Sequence, residues 1–267
     1  MNLIYIVSIA AAAALAIVLF RMRRAAVCAH NRFAARALAH LESAWSLQSC
    51  SVRPAFQDLL PGRALGLLRF RADLCRGGPF RWVNLTDTTM FGCMKMHTLL
   101  FIPSPEYNLP MMSIDVIFAG RRRVFVIEVI DPARIEDAYL EQHYRAMLSL
   151  KPAAGVMPEA PVTYWYKDIL AECSIHARLD AGCDDLMLQT YAAYLDAYAA
   201  MAREARPCPE HAAAVRERQR WYVRSLIDNG GPAVDMLAKL MGRARADAYI
   251  WSTMFGYDEQ GGELSNH

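Results

Sequence analysis

The stretch MMSIDVIFAGRRRVFVIEVI, Met111–Ile130, decides the fold. Two apolar, β-branched runs flank the short connection AGRRR, Ala119–Arg123, and so predict an antiparallel hairpin. Upstream, MKMHTLLFI (94–102) and FRWVNLT (80–86) have the same strand texture, set apart by Gly92 and by the Pro103–Pro110 loop. Further upstream, residues 25–49 predict a helix with Phe33, Leu38, Leu41 and Trp45 at helical spacing, followed by a turn-rich stretch around Pro54 and Pro61-Gly62. Downstream, helices are expected over 135–150, 184–205, 210–227 and 233–255, with a short strand at 173–178 between the first two. Helix, contiguous antiparallel sheet, then helices: this order predicts an α/β protein, a three-layer α/β/α sandwich whose central antiparallel sheet is flanked by helices.

Asp115 is the anomaly in this pattern. Its neighbours Ile114, Val116, Ile117 and Phe118 would bury both faces of the strand, and alternation groups Asp115 with Ser113 and Ile117. On a covered face the carboxyl would have its pKa raised by desolvation and could deliver a proton near neutral pH; on a half-exposed strand it would be an ordinary solvated aspartate. Glu128 poses the same question on the adjoining strand. Thr98 shares a face with Met94, Met96 and Leu100, a pocket-like grouping, whereas Lys95 and His97 share the other parity and predict a solvent-side stripe.

The N-terminus departs from the rest of the chain. Leu3–Phe20, LIYIVSIAAAAALAIVLF, holds only Ser8 as a clearly polar residue, and eighteen helical residues at about 1.5 Å each nearly match a hydrocarbon core of about 30 Å. Arg21, Arg23, Arg24, Arg32 and Arg36 follow before the first acid, Glu42. This order is the reverse of a cleaved secretory signal. It predicts a single-pass transmembrane helix preceding the sandwich, with the C-terminal domain on the cytoplasmic side of the cell membrane; a buried Ala-rich helix is the alternative. The expected organisation is residues 1–24 as anchor with a basic flank, 25–257 as the folded domain and 258–267 as a flexible tail.

Composition narrows the function classes. With 55% hydrophobic and 21% charged residues and a net charge of +2 over 267 residues, neither a disordered chain nor a nucleic-acid-coating polycation fits. The seven cysteines form no C-x-x-C pair, which argues against a disulfide framework, a structural zinc site or an iron–sulfur cluster. No Gly-rich phosphate loop, G-x-S-x-G or H-E-x-x-H motif is present; Gly230-Gly231 before Pro232 reads as a helix break. Metal and bound-cofactor residues are therefore expected to be none.

Three segments carry a family resemblance. FIPSPEYNLPMMSIDVIFAGRRRVFVIEVIDP (101–132), YKDILAECSIHARL (166–179) and QRWYVRSLIDNGGPAVDMLAKLMGRARADAYIWSTMFG (219–256) resemble, in this order, the ferredoxin-dependent bilin reductases. The resemblance covers roughly Phe80 to Gly256. It implies reduction of CH–CH groups of a biliverdin-like linear tetrapyrrole held between the sheet and the C-terminal helices. Ferredoxin would supply single electrons through radical intermediates, with no bound cofactor, and Asp115 would fall on the family's proton-donating aspartate. Thr98, Met96, Ser113, Tyr107 and Asn229 would contact substrate, and Asp228 or Glu128 would serve as a second acid. A ferredoxin partner would dock on a basic patch, for which Arg121–Arg123 or Arg216, Arg218 and Arg220 are the candidates.

Two departures matter. One branch of the family carries a histidine at the position of Thr98, and other branches carry Asp-Pro-Ala where this chain has Gly231-Pro232-Ala233. A second function class follows from them: a non-catalytic, membrane-tethered tetrapyrrole carrier or sensor.

Overall fold

Among the described residues, seven strands form one antiparallel sheet in sequence order: β1 (Gln48–Cys50), β2 (Leu68–Gly77), β3 (Phe80–Met90), β4 (Met94–Pro103), β5 (Met111–Ala119), β6 (Arg122–Ile130) and β7 (Ile175–Asp180). The computed structural model describes residues 3–57, 68–90, 94–258 and 261–264. The expected β5–β6 hairpin turns at Gly120, whose φ of 60° is open to glycine at little steric cost. Helices α1 (Leu3–Ala44), the single turn α2 (Pro54–Gln57), α3 (Ala138–Ser149), α4 (Asp184–Glu204), α5 (Ala212–Asn229), α6 (Pro232–Met241) and α7 (Arg243–Tyr249) complete the described elements with short 3₁₀ and π turns. The helix expected over 233–255 is broken at Gly242, where φ is 84°.

Alternation along the strands supplies two apolar faces, and each has its own helical cover. On one face Leu99, Phe101, Ile114, Val116 and Ile127 pack against Phe33 of α1, Leu140 of α3 and Tyr191 of α4. On the other, Leu100, Ile102, Met111 and Ile130 pack against Val223 of α5, Val234 and Leu237 of α6 and Tyr249 of α7. The α/β sandwich with a central antiparallel sheet is thus the fold of the described chain.

Some expectations change, and one lies largely outside the described residues. A strand, β2, lies just after the stretch expected to be turns: Phe70 and Leu74 point inward while Arg69, Arg71 and Asp73 face solvent. Helix α1 runs unbroken from Leu3 to Ala44, with no division at residue 24. Its Ala26, Ala29, Phe33, Ala37 and Leu41 form the seam against the sheet, whereas Leu38 is exposed. Most side chains of the expected transmembrane run (1–12, 15 and 19) lie outside the described residues; among the described residues no helix is long and apolar enough to cross a membrane. Residues 261–264, expected in a flexible tail, lie back on the domain: Tyr257 and Glu263 form a β-bridge, and Leu264 N–H donates to the Gly256 carbonyl.

Candidate active site

The face covered by α5 and α6 presents Met94, Met96 and Thr98 from β4, Ser113, Asp115 and Ile117 from β5, and Val124, Val126 and Glu128 from β6. Register places Thr98 directly opposite Asp115 and Ser113 opposite Glu128. Gly230, at φ 75°, ends α5, and Pro232 opens α6, so that Ala233, Val234 and Met236 form a roof over these strands. Between floor and roof lies a cavity of about 370 Å³, walled by Tyr164, Tyr166 and Leu226. A void of about 30 Å³ adjoins it through the shared Met96, Ala233 and Met236, and is edged by Thr86, Thr88 and Thr98. The lining is apolar with few polar groups, the character of a site for a largely apolar ligand.

Among those polar groups are two carboxylates with unlike partners. Thr98 Oγ1 donates to Asp115 Oδ1 at 2.5 Å. Burial pushes the Asp115 carboxyl up to about 6; the hydrogen bonds from Thr98 and Ser113 oppose the rise and the negative charge of Glu128 adds to it. Glu128 Oε1 instead accepts from His176 Nε2 at 2.8 Å and from the Tyr166 hydroxyl at 3.2 Å. Burial, then the charge of Glu128, raises the Tyr166 phenol far above its ordinary value, and burial does the same to Tyr222 beside both carboxylates, so both remain hydrogen donors. The arrangement holds one carboxyl ready to give up a proton near neutrality and a second hydrogen-bonded to His176 and Tyr166.

The expected site residues divide. Asp115, Met96, Thr98 and Glu128 meet at the cavity, and Ser113 supports Asp115 from the same strand. Tyr107 does not join them: its loop bridges to Pro207 and the ring packs with the opposite core, near α4. Asp228 and Asn229 close α5 with exposed side chains and take no part in the lining, because the chain turns at Gly230 and brings the backbone of Gly231 inward instead. His97, expected on a solvent-side stripe, is fully buried under α1 and α4, because both faces of the sheet are covered. Arg123, a candidate for the basic patch, is buried in an ion pair with Asp184, and so leaves that patch. Arg121 pairs with Asp180 at the surface and Arg216 with Glu263.

His176, Tyr164 and Tyr166 were not anticipated as site residues. The signal for His176 lies in register: it pairs with Val126 on β6, which sets its ring diagonal to Glu128 on the same face. The tyrosines come from the loop before the 3₁₀ turn Lys167–Ile169, which no strand or helix periodicity would aim at the cavity.

The family model of the ferredoxin-dependent bilin reductases matches residues 34–256. Among solved structures, tomato phytochromobilin synthase, crystallised in complex with biliverdin, is similar at a TM-score of 0.65 and 14% identity, covering 80% of this chain and 79% of that one. No curated protein matches by sequence.

Proposed function

The chain belongs to the ferredoxin-dependent bilin reductase family, and from that premise we propose that it reduces a double bond of a biliverdin-like linear tetrapyrrole, with Asp115 as proton donor. The observation that carries this reading is the Asp115 carboxyl, raised to about 6 and facing an apolar cavity between the sheet and α6. Each double bond reduced takes two electrons and two protons. Reduced ferredoxin supplies the electrons one at a time and the conjugated tetrapyrrole delocalises the radical, so the chain's own task is to bind, exclude water and time protonation. Met96, Ile117, Val126 and Met236 supply the apolar contacts, Asp115 delivers the first proton, and Glu128, hydrogen-bonded to His176 and Tyr166, stands beside it as the second acid-base group. No bound cofactor enters the scheme.

The second reading, a non-catalytic tetrapyrrole carrier or sensor, is favoured by Thr98: the group touching Asp115 is a hydroxyl with no proton to give near neutrality. Anaerobic incubation with biliverdin, reduced ferredoxin and its reductase separates the two. Conversion to a product of shifted absorbance supports the reductase, while a bound-pigment spectrum without turnover supports the carrier.

Membrane attachment through residues 3–20, with the folded domain cytoplasmic, belongs to the proposal on the strength of the apolar run and its arginine flank. Fractionation of the whole chain against one lacking residues 1–24 tests it: both chains in the same fraction would remove the anchor.

A further inference from the structure

On the sheet face opposite the cavity, three polar side chains converge within the apolar packing. His30 of α1 and His97 of β4 are 4% and 0% exposed, and both turn a ring nitrogen toward Asp87 of β3. His30 Nε2 lies 2.9 Å and His97 Nδ1 3.4 Å from the same oxygen, Asp87 Oδ1, and the three potential ligand atoms all lie within 4.8 Å of one another. The imidazoles meet edge to face, with centroids 6.0 Å apart. Their outer nitrogens are engaged as well: His97 Nε2 is 3.0 Å from the Tyr191 hydroxyl, and His30 Nδ1 is 3.3 Å from Asn31 Oδ1.

From this geometry we propose that His30, Asp87 and His97 are the protein ligands of a site for a divalent first-row transition ion such as zinc(II). Two imidazoles and one carboxylate, without thiolate, are the donor set such ions take, and three protein ligands leave a position for water. Bonds of about 2.1 Å place the ligand atoms of a tetrahedral site about 3.4 Å apart, so the observed separations need only a ring movement of about 1 Å to close on an ion. With the ion on the inner nitrogens, His97 carries its proton on Nε2 and donates to the Tyr191 oxygen, and His30 carries its proton on Nδ1 and donates to Asn31. Both rings thus already have the outer partner that orients a metal-bound histidine. Asp87, with 37% of its side chain exposed, is the way in from solvent. The ion would tie α1 to β3 and β4, one residue along from Thr98 but on the other side of the sheet, so the site stands apart from the tetrapyrrole chemistry.

The test uses the whole chain, stripped by a chelator and titrated with Zn²⁺ by calorimetry and with Co²⁺ by visible absorption. One ion per chain at micromolar affinity is expected, with a rise in Tm that grows with free zinc. X-ray absorption of the zinc-loaded wild-type chain should show imidazole scattering, a readout that depends on no variant folding. His30→Gln and the near-isosteric Asp87→Asn should each weaken binding by more than about 10-fold and Tyr191→Phe by about 10-fold, while His211→Gln leaves it unchanged. Absence of saturable binding, a zinc spectrum without imidazole, or full affinity in both His30→Gln and Asp87→Asn overturns the site and leaves a hydrogen-bonded tether.

Discussion

Asp115 and Asp87 are carboxyls on the two faces of one sheet, and their proton affinities move in opposite directions. Burial acts upward on both. At Asp115 no cation among the described residues answers it, and the group rises to about 6. At Asp87, hydrogen bonds and charge from His30 and His97 outweigh burial and hold the carboxyl well below the usual range. Burial alone therefore does not make a proton donor; burial without a basic partner does. The face under α6 turns Asp115 toward a cavity, whereas on the face under α1 and α4 the buried Arg123 is paired with Asp184.

If this division holds, substitutions on the two faces should fail in different ways. The largest effect is expected from Asp115→Asn, which removes the proton but keeps the shape. Turnover of biliverdin should fall by about 100-fold or more while pigment binding, followed by absorbance, stays within a few-fold of wild type. Turnover at the wild-type rate would end the proton-donor role. On the opposite face, Arg123→Leu strands Asp184 in a site where the ion pair is 1% and 19% exposed. Denaturant unfolding should show a loss of about 3 kcal/mol, with turnover at low temperature unchanged, since the pair lies on the side away from the cavity.

A pH series sharpens the contrast. Because the folded Asp115 binds its proton more tightly than the unfolded one, its contribution to stability is fully present below about pH 4 and lost as pH rises through about 6. Asp115→Asn, which never ionises, should therefore match the trend of wild type in acid and gain on it by roughly 3 kcal/mol by pH 8. Urea unfolding at pH 4, 6 and 8 checks this; a gap independent of pH would mean that the carboxyl is not strained by burial.

Much of this division was legible before the fold was known. The alternation around Asp115 grouped it with Ser113, and the Met96–Thr98 parity identified the lining of the cavity. Strand parity also placed His97 and Thr98 on opposite faces, but parity has no sign: it does not say which face is wet, and here neither is. Strand β2 was missed because its outward residues are charged and its apolar ones, Phe70 and Leu74, are few. Tyr107, Asp228 and Asn229 were misplaced for another reason. They sit on or beside connections, where adjacency to a motif carries no information about direction; the single positive φ at Gly230 turned the loop the other way. The Glu128–His176 contact needed the β6–β7 register, which the long connection through α3 hides from sequence.

The smallest effects test the neighbours that tune Asp115, and they carry opposite signs. Activity that requires a protonated Asp115 should decline as pH rises through about 6. The Thr98 hydrogen bond stabilises the ionised carboxylate, so Thr98→Val should move that decline to higher pH, by about one pH unit. Glu128 acts the other way: its negative charge favours the protonated form, and Glu128→Gln should move the decline to lower pH by less than about one unit. A pH profile of turnover for the three proteins reads both shifts at once. Shifts of the same sign would show that the two changes act through the shape of the cavity, since only a charge on Asp115 responds to its two neighbours in opposite directions.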